Sequence, residues 1–111
     1  MKILSVYNID KNKYLKIAKQ KAEAAGYDPA LLKFSDKPRY KLEYDSVPFG
    51  HSSYPDFIVY SILAEMGDYE KYTKAYAARR RASYLARASK IKGDWRRNRN
   101  SPNWLAIRIL W

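Results

Sequence analysis

The sequence predicts a single small α+β domain, mainly helical, with a short β-hairpin and an extended basic C-terminal segment. Three observations carry that reading. Several stretches show helical apolar spacing bounded by capping residues, one stretch alternates apolar and charged residues between turn signals, and the charge balance changes abruptly along the chain. A chain of 111 residues has room for one modest core, so residues 1–111 read as one domain. Hydrophobic residues make up 47% and charged residues 30%, the balance of a folded chain rather than of a disordered polyelectrolyte.

The elements follow in order. Residues 2–7 form a short apolar, β-favouring run, expected as an edge strand. Asp10 is placed to cap a helix in which Tyr14, Leu15, Ala18, Ala22 and Ala25 share one face, and Gly26 suits its left-handed stop. Lys13, Lys16, Lys19 and Glu23 occupy the opposite, solvated face. After a turn at Tyr27, Asp28 and Pro29, residues 31–35 and 40–44 read as strands separated by the breakers Asp36, Lys37 and Pro38. Tyr40, Leu42 and Tyr44 alternate with Lys41 and Glu43, the period of a half-buried strand. Asp45 and Ser46 turn the chain into Val47, Pro48 and Phe49, an arm that Pro48 restricts to a sheet edge.

The run Ser53, Tyr54, Pro55, Asp56 looks like a helix start with Pro near its first position. Phe57, Ile58, Tyr60, Ser61, Ile62 and Leu63 make that helix apolar around most of its circumference, which predicts burial; Gly67 ends it and Asp68 is placed to cap the next. A long Ala- and Arg-rich helix is expected from residue 69 to about residue 90, with Tyr72, Ala75, Tyr76, Ala82, Leu85 and Ala86 on its apolar side. Gly93 breaks it, residues 95–100 read as a basic polar linker, and Ser101 and Pro102 as a second cap and first turn. The end, with Trp104, Leu105, Ile107, Ile109, Leu110 and Trp111, is too apolar to be left in water. It is expected to serve as core and as a docking element.

The net charge of +11 is concentrated late in the chain. Residues 1–68 are near neutral, with ten basic and nine acidic side chains, whereas residues 69–111 carry twelve basic and two acidic ones. A positive field of this kind raises the local density of anionic partners, whether nucleic acid, lipid headgroups or acidic protein. Eleven Tyr and three Trp add side chains that combine contact area with a polar handle.

Several classes of chemistry are not expected. There is no cysteine, which excludes disulfides, thiolate metal sites and cysteine nucleophiles and points to a reducing compartment. No run of about 18 apolar residues exists, and residues 1–10 lack the core of a secretory signal, so neither export nor membrane spanning is expected. The one imidazole, His51, lies beside Ser52 and Ser53 without a second catalytic partner or metal-ligand spacing. The four glycines are isolated and offer no phosphate loop. The chain therefore reads as non-enzymatic, with no catalytic residue, cofactor, metal or small-molecule substrate.

What remains is cationic and aromatic contact. Arg79, Arg80 and Arg81 spread over about 200° of a helix and cannot all face one partner. Arg80, Tyr84 and Arg87 form a more coherent stripe, expected to continue through Arg96, Arg97 and Arg99 as a basic surface for phosphates or acidic side chains. Trp104 and Trp111 complete the expected partner-binding set.

The ordered pieces Phe49-Gly50, Tyr54 through Phe57, Arg80 through Arg87, Ile91 through Trp95, Ser101 through Asn103 and the final Leu110-Trp111 resemble a family of small, basic, largely uncharacterised proteins of large nucleocytoplasmic DNA viruses of algae and amoebae. The resemblance covers roughly residues 26–111, and departs between Phe57 and Arg79, where this chain has an apolar, Tyr-rich insert. It implies a virion component and brings no catalytic residues. The leading expectation is thus a minor capsid protein contacting major and minor capsid proteins in the inner capsid layer, present in host cytoplasm or nucleus during assembly. The alternative is a nucleic-acid-binding protein, either genome-condensing or part of a ribonucleoprotein. A third possibility places the basic surface against the anionic face of an internal viral membrane.

Overall fold

The structure is a computed structural model that describes residues 2–111. It is a compact α+β domain in which helices pack around a three-stranded antiparallel sheet. The elements are α1 (Lys2–Val6), α2 (Lys11–Ala24), β1 (Leu32–Phe34), β2 (Tyr40–Tyr44), β3 (Val47–His51), α3 (Phe57–Met66), α4 (Lys74–Ala88) and α5 (Pro102–Leu105). Beyond α5, residues Ala106–Leu110 widen into a π-type turn, closed by the Trp111 N–H donating to the Ala106 carbonyl.

The N-terminal run is helical, not a strand. A strand would send Ile3 and Leu4 to opposite faces, yet both are buried in one core together with Ile9. One helical turn satisfies that demand. It is closed by Asn8 in the left-handed region (φ 57°), with Asn8 N–H donating to Ser5 and Ile9 N–H to Leu4, the paired bonds of a Schellman stop. The same stop ends α2, where Gly26 N–H reaches Glu23 and Tyr27 N–H reaches Ala22. Asp10 caps α2 as expected, accepting from the Asn12 N–H at 2.9 Å, and Tyr14, Ala18 and Ala22 are its fully buried face.

The sheet order is β1-β2-β3, with Leu32 opposite Tyr44 and Leu42 opposite Phe49. Pro48 accordingly lies on an edge strand. The β2–β3 connection has positive φ at both Asp45 and Ser46, the two-residue turn whose twist matches that of the flanking strands.

The starts of α3 and α4 are shifted from expectation, each by a different side chain taking the cap. Asp56 is itself the cap of α3, accepting from the Val59 N–H at 2.9 Å, so Pro55 precedes the helix rather than opening it. Thr73, not Asp68, caps α4. The intervening Tyr69 and Tyr72 pack instead against Tyr7, with all three ring pairs at 5.6 Å. The apolar side of α4 also differs: Ala77 and Ala88 are buried and Leu85 half-buried, whereas Ala75, Ala82 and Ala86 are exposed. Helix α4 packs chiefly on α3 and, through Tyr84, on Trp111, so the alanines away from those contacts stay exposed.

The stretch read as a basic linker connects α4 to α5 as a fixed 3-10 turn, Asp94–Arg97. Ser101 caps α5 as expected, and Leu105, Ile109 and Leu110 enter the main core. The apolar end is thereby largely core, while Trp104, Ile107 and Trp111 stay half-buried. Its seat is Gly50. A Cβ there would lie 2.5 Å from Leu110 Cδ1, at a backbone φ of +76°. Gly50→Ala is therefore expected to cost about 2 kcal/mol, from left-handed strain plus displacement of Leu110, measured as a lowered urea midpoint at unchanged slope.

Candidate functional site

A buried polar centre positions the rest. Asp56 Oδ2 accepts from the Tyr14 hydroxyl at 2.5 Å and from Lys41 Nζ at 2.8 Å, while its Oδ1 holds the α3 N–H. Lys41 and Asp56 are only 2% and 1% exposed, so the Lys41 expected on the solvent side of an alternating strand lies inside. Burial, with the Asp56 charge adding to it, pushes the Tyr14 phenol well above its ordinary range, which keeps it a donor. Nearby, Lys21 Nζ is buried without a hydrogen-bond partner and sits 5.1 Å from the Phe57 ring centroid. Burial pushes its ammonium down to about 8, opposed by Asp56 and reinforced by Arg81.

Four of the expected binding residues come together. Arg80, Tyr84, Arg87 and Trp111 line one cleft of about 370 Å³, whose other walls carry His51 and Tyr54. Tyr84 stacks on Trp111 with centroids 4.3 Å apart and planes 7° from parallel, and burial raises the Tyr84 phenol, so that ring stays neutral. Arg80 lies 6.0 Å from the Tyr60 centroid.

The remaining expected residues separate. Arg96 is hydrogen-bonded to the Ser89 carbonyl at the end of α4 and stacks on Trp95 at 4.3 Å, continuing the charge of α4. Arg97 is exposed on the same turn. Arg99 turns away: it donates to the Gly26 carbonyl at 2.7 Å and covers Tyr27 at 4.4 Å, placing a cation at the negative end of α2. Trp104 is held by Arg108 at 4.0 Å, by Trp95 at 5.1 Å and by its own indole N–H donating to Arg96 O.

Among the described residues there are three ion pairs, Lys13–Glu65, Lys33–Glu43 and Lys41–Asp56. None involves any of the twelve cations of residues 69–111. Seven of those cations lie over rings instead, among them Arg79 on Tyr76, Arg81 on Phe57, and Lys71 on Tyr72 and Tyr76. Such contacts orient a guanidinium without neutralising it.

Sequence reading missed a second basic cleft. It encloses about 650 Å³ and draws Lys2, Lys11, Lys37 and Arg39 from the near-neutral half. They come from two separate stretches, residues 2–11 and 37–39, which only the fold brings together. No helix among the described residues is long and apolar enough to cross a membrane. No protein-family model, curated protein or solved structure matches this chain.

Two outcomes follow for the buried centre. Asp56→Asn keeps the helix cap but leaves Lys41 a lone buried cation, and is expected to destabilise by roughly 3–5 kcal/mol in urea unfolding. Lys21 has a folded pKa of about 8 against about 10.4 unfolded. Between those values the unfolded chain holds more protons, so the penalty of charging Lys21 is full below pH 8 and fades as pH rises toward 10. The stability difference between Lys21→Met and the parent should therefore favour the variant at pH 7 and shrink across that window.

Proposed function

We propose that this chain is a non-catalytic nucleic-acid-binding protein that holds phosphate backbones with α4, the Asp94–Arg97 turn and the cleft that α4 forms with β3 and the C-terminal turn. One observation carries the reading: the twelve cations of residues 69–111 enter no ion pair among the described residues, and seven of them lie over aromatic rings. Polyelectrolyte binding draws its free energy from releasing counterions when such charges meet phosphates. In a virus particle, which the sequence resemblance suggests as the setting, the polyanion is the packaged genome.

The minor-capsid reading is the second, favoured by the half-buried Trp95, Trp104 and Trp111. Rings of this kind are the usual anchors of protein contacts. It loses the free apolar C-terminus, which Leu105, Ile109 and Leu110 commit to the chain's own core.

Salt dependence separates the two. If about six cations engage phosphates, the logarithm of the association constant should fall against the logarithm of salt concentration with a slope of roughly −4 to −5. Replacing the exposed Arg79 and Arg97 with Ala should flatten that slope by about 1–2 at unchanged melting temperature. Failure to bind either DNA or RNA at low salt sinks the reading. Capsid contacts made through tryptophan packing would instead persist at high salt.

A further inference from the structure

We propose that the two basic clefts form one track for single-stranded nucleic acid, with an unpaired base received between Tyr54 and the Tyr84–Trp111 pair. The inference rests on the nucleic-acid reading above and adds to it the form of the ligand and its path.

The two clefts adjoin at one residue. His51, the last residue of β3, lines both of them, and its Nδ1 is held by the Ser53 N–H at 3.1 Å. No Asp or Glu lines either cleft. The fold therefore sorts its charge: Lys2, Lys11, Lys37 and Arg39 come from a half of the chain that is nearly neutral overall, yet they face one cleft with no carboxylate on its walls. On one side of His51 lie those four cations, and on the other lie Arg80 and Arg87.

The order of groups in the smaller cleft matches a strand with unpaired bases. Arg80 and Arg87 are seven residues apart on α4, about 10.5 Å along its axis, and Tyr84 lies between them. The wall thus reads cation, ring, cation. A single strand presents phosphate, base, phosphate in the same order, and its exposed bases stack on aromatic rings. A duplex keeps its bases stacked inward and presents phosphates, leaving the rings without a partner. The cleft, about 370 Å³, also has the size of a pocket for one small ligand.

Tyr54 supplies the second ring. It is 65% exposed and lies against His51, with centroids 4.6 Å apart and planes at 34°. An exposed aromatic alone means little. This one lines the smaller cleft beside the one imidazole that borders both.

The test uses the full chain and fluorescence anisotropy with labelled oligonucleotides of about 12 nucleotides, within the usual site size of single-strand binders. The probes are oligo-dT, an abasic version of it and a duplex of equal length. Oligo-dT should bind roughly tenfold more tightly than the abasic strand, the effect of losing a base–aromatic stack, and more tightly than the duplex. Tyr84→Ala and Tyr54→Ala should each weaken oligo-dT binding about tenfold and weaken duplex binding by much less. Tyr54, being exposed, is the position where loss of binding is separable from loss of fold. Replacing both Lys37 and Arg39 with Ala should flatten the single-strand salt slope by about 1.4. Equal affinity for strand and duplex with Tyr54→Ala indifferent, or equal competition by a poly-glutamate peptide of matched charge, overturns the track and leaves general polyanion binding standing. No binding of strand or duplex at low salt overturns both.

Discussion

Asp56 is the point at which three elements meet: the Tyr14 hydroxyl arrives from α2, the Lys41 ammonium from β2, and the first turn of α3 presents its N–H groups. A carboxylate taken out of water is costly unless its oxygens are occupied, and here both are, by a cation, a phenol and a helix N-terminus. The net stabilisation from such a buried pair is small, because desolvation offsets most of the attraction. Its effect is selective. A one-residue slip of β2 would carry Lys41 to the opposite face and leave Asp56 buried alone, a state several kcal/mol less stable. The ion pair thus fixes the register of the central strand against α2 and α3.

That register also builds the cleft. Lys41 lies opposite Gly50, between the Tyr40–His51 and Leu42–Phe49 pairs, and Gly50 is the flat place on which Leu110 seats. The seat brings the C-terminal turn beneath α4, so that Trp111 stacks on Tyr84 and its carbonyl accepts from Arg81 Nε at 2.8 Å. Lys41 reaches the cleft floor, but its charge is matched by Asp56. The field in the cleft therefore comes from Arg80 and Arg87. The buried pair supplies geometry, and the two arginines supply potential.

Much of this was legible in the sequence, and what was not has a common cause. Asp10, Gly26, Gly67 and Ser101 could be placed because caps and stops act within one helical turn. The Arg80, Tyr84 and Arg87 stripe was visible because all three lie on one helix. Lys41 was read as solvated because alternation reports which face a residue takes, not whether that face is covered; here the C-terminal turn, some 60 residues later, covers it. Asp56 was seen as a helix-start acid, but nothing local links it to Lys41 or Tyr14. The cleft of Lys2, Lys11, Lys37 and Arg39 was invisible for the same reason, since a charge count over residues 1–68 averages away cations that the fold gathers.

The way the arginines are held bears on why the surface stays charged. Twelve cations on one short segment repel one another, and a domain selected for stability alone would pair them with carboxylates. This chain instead sets seven of them over rings, at roughly 0.5–1 kcal/mol for each exposed contact, which leaves the repulsion in place. An anion bound to the folded chain relieves that repulsion, and by linkage the folded state gains what the anion gains. A surface that neutralised itself would bind phosphate weakly. One whose cations were merely solvated would lose side-chain entropy in ordering them on contact. Arginine on tyrosine and tryptophan avoids both costs, since orientation is set before the partner arrives and the charge remains for it to meet.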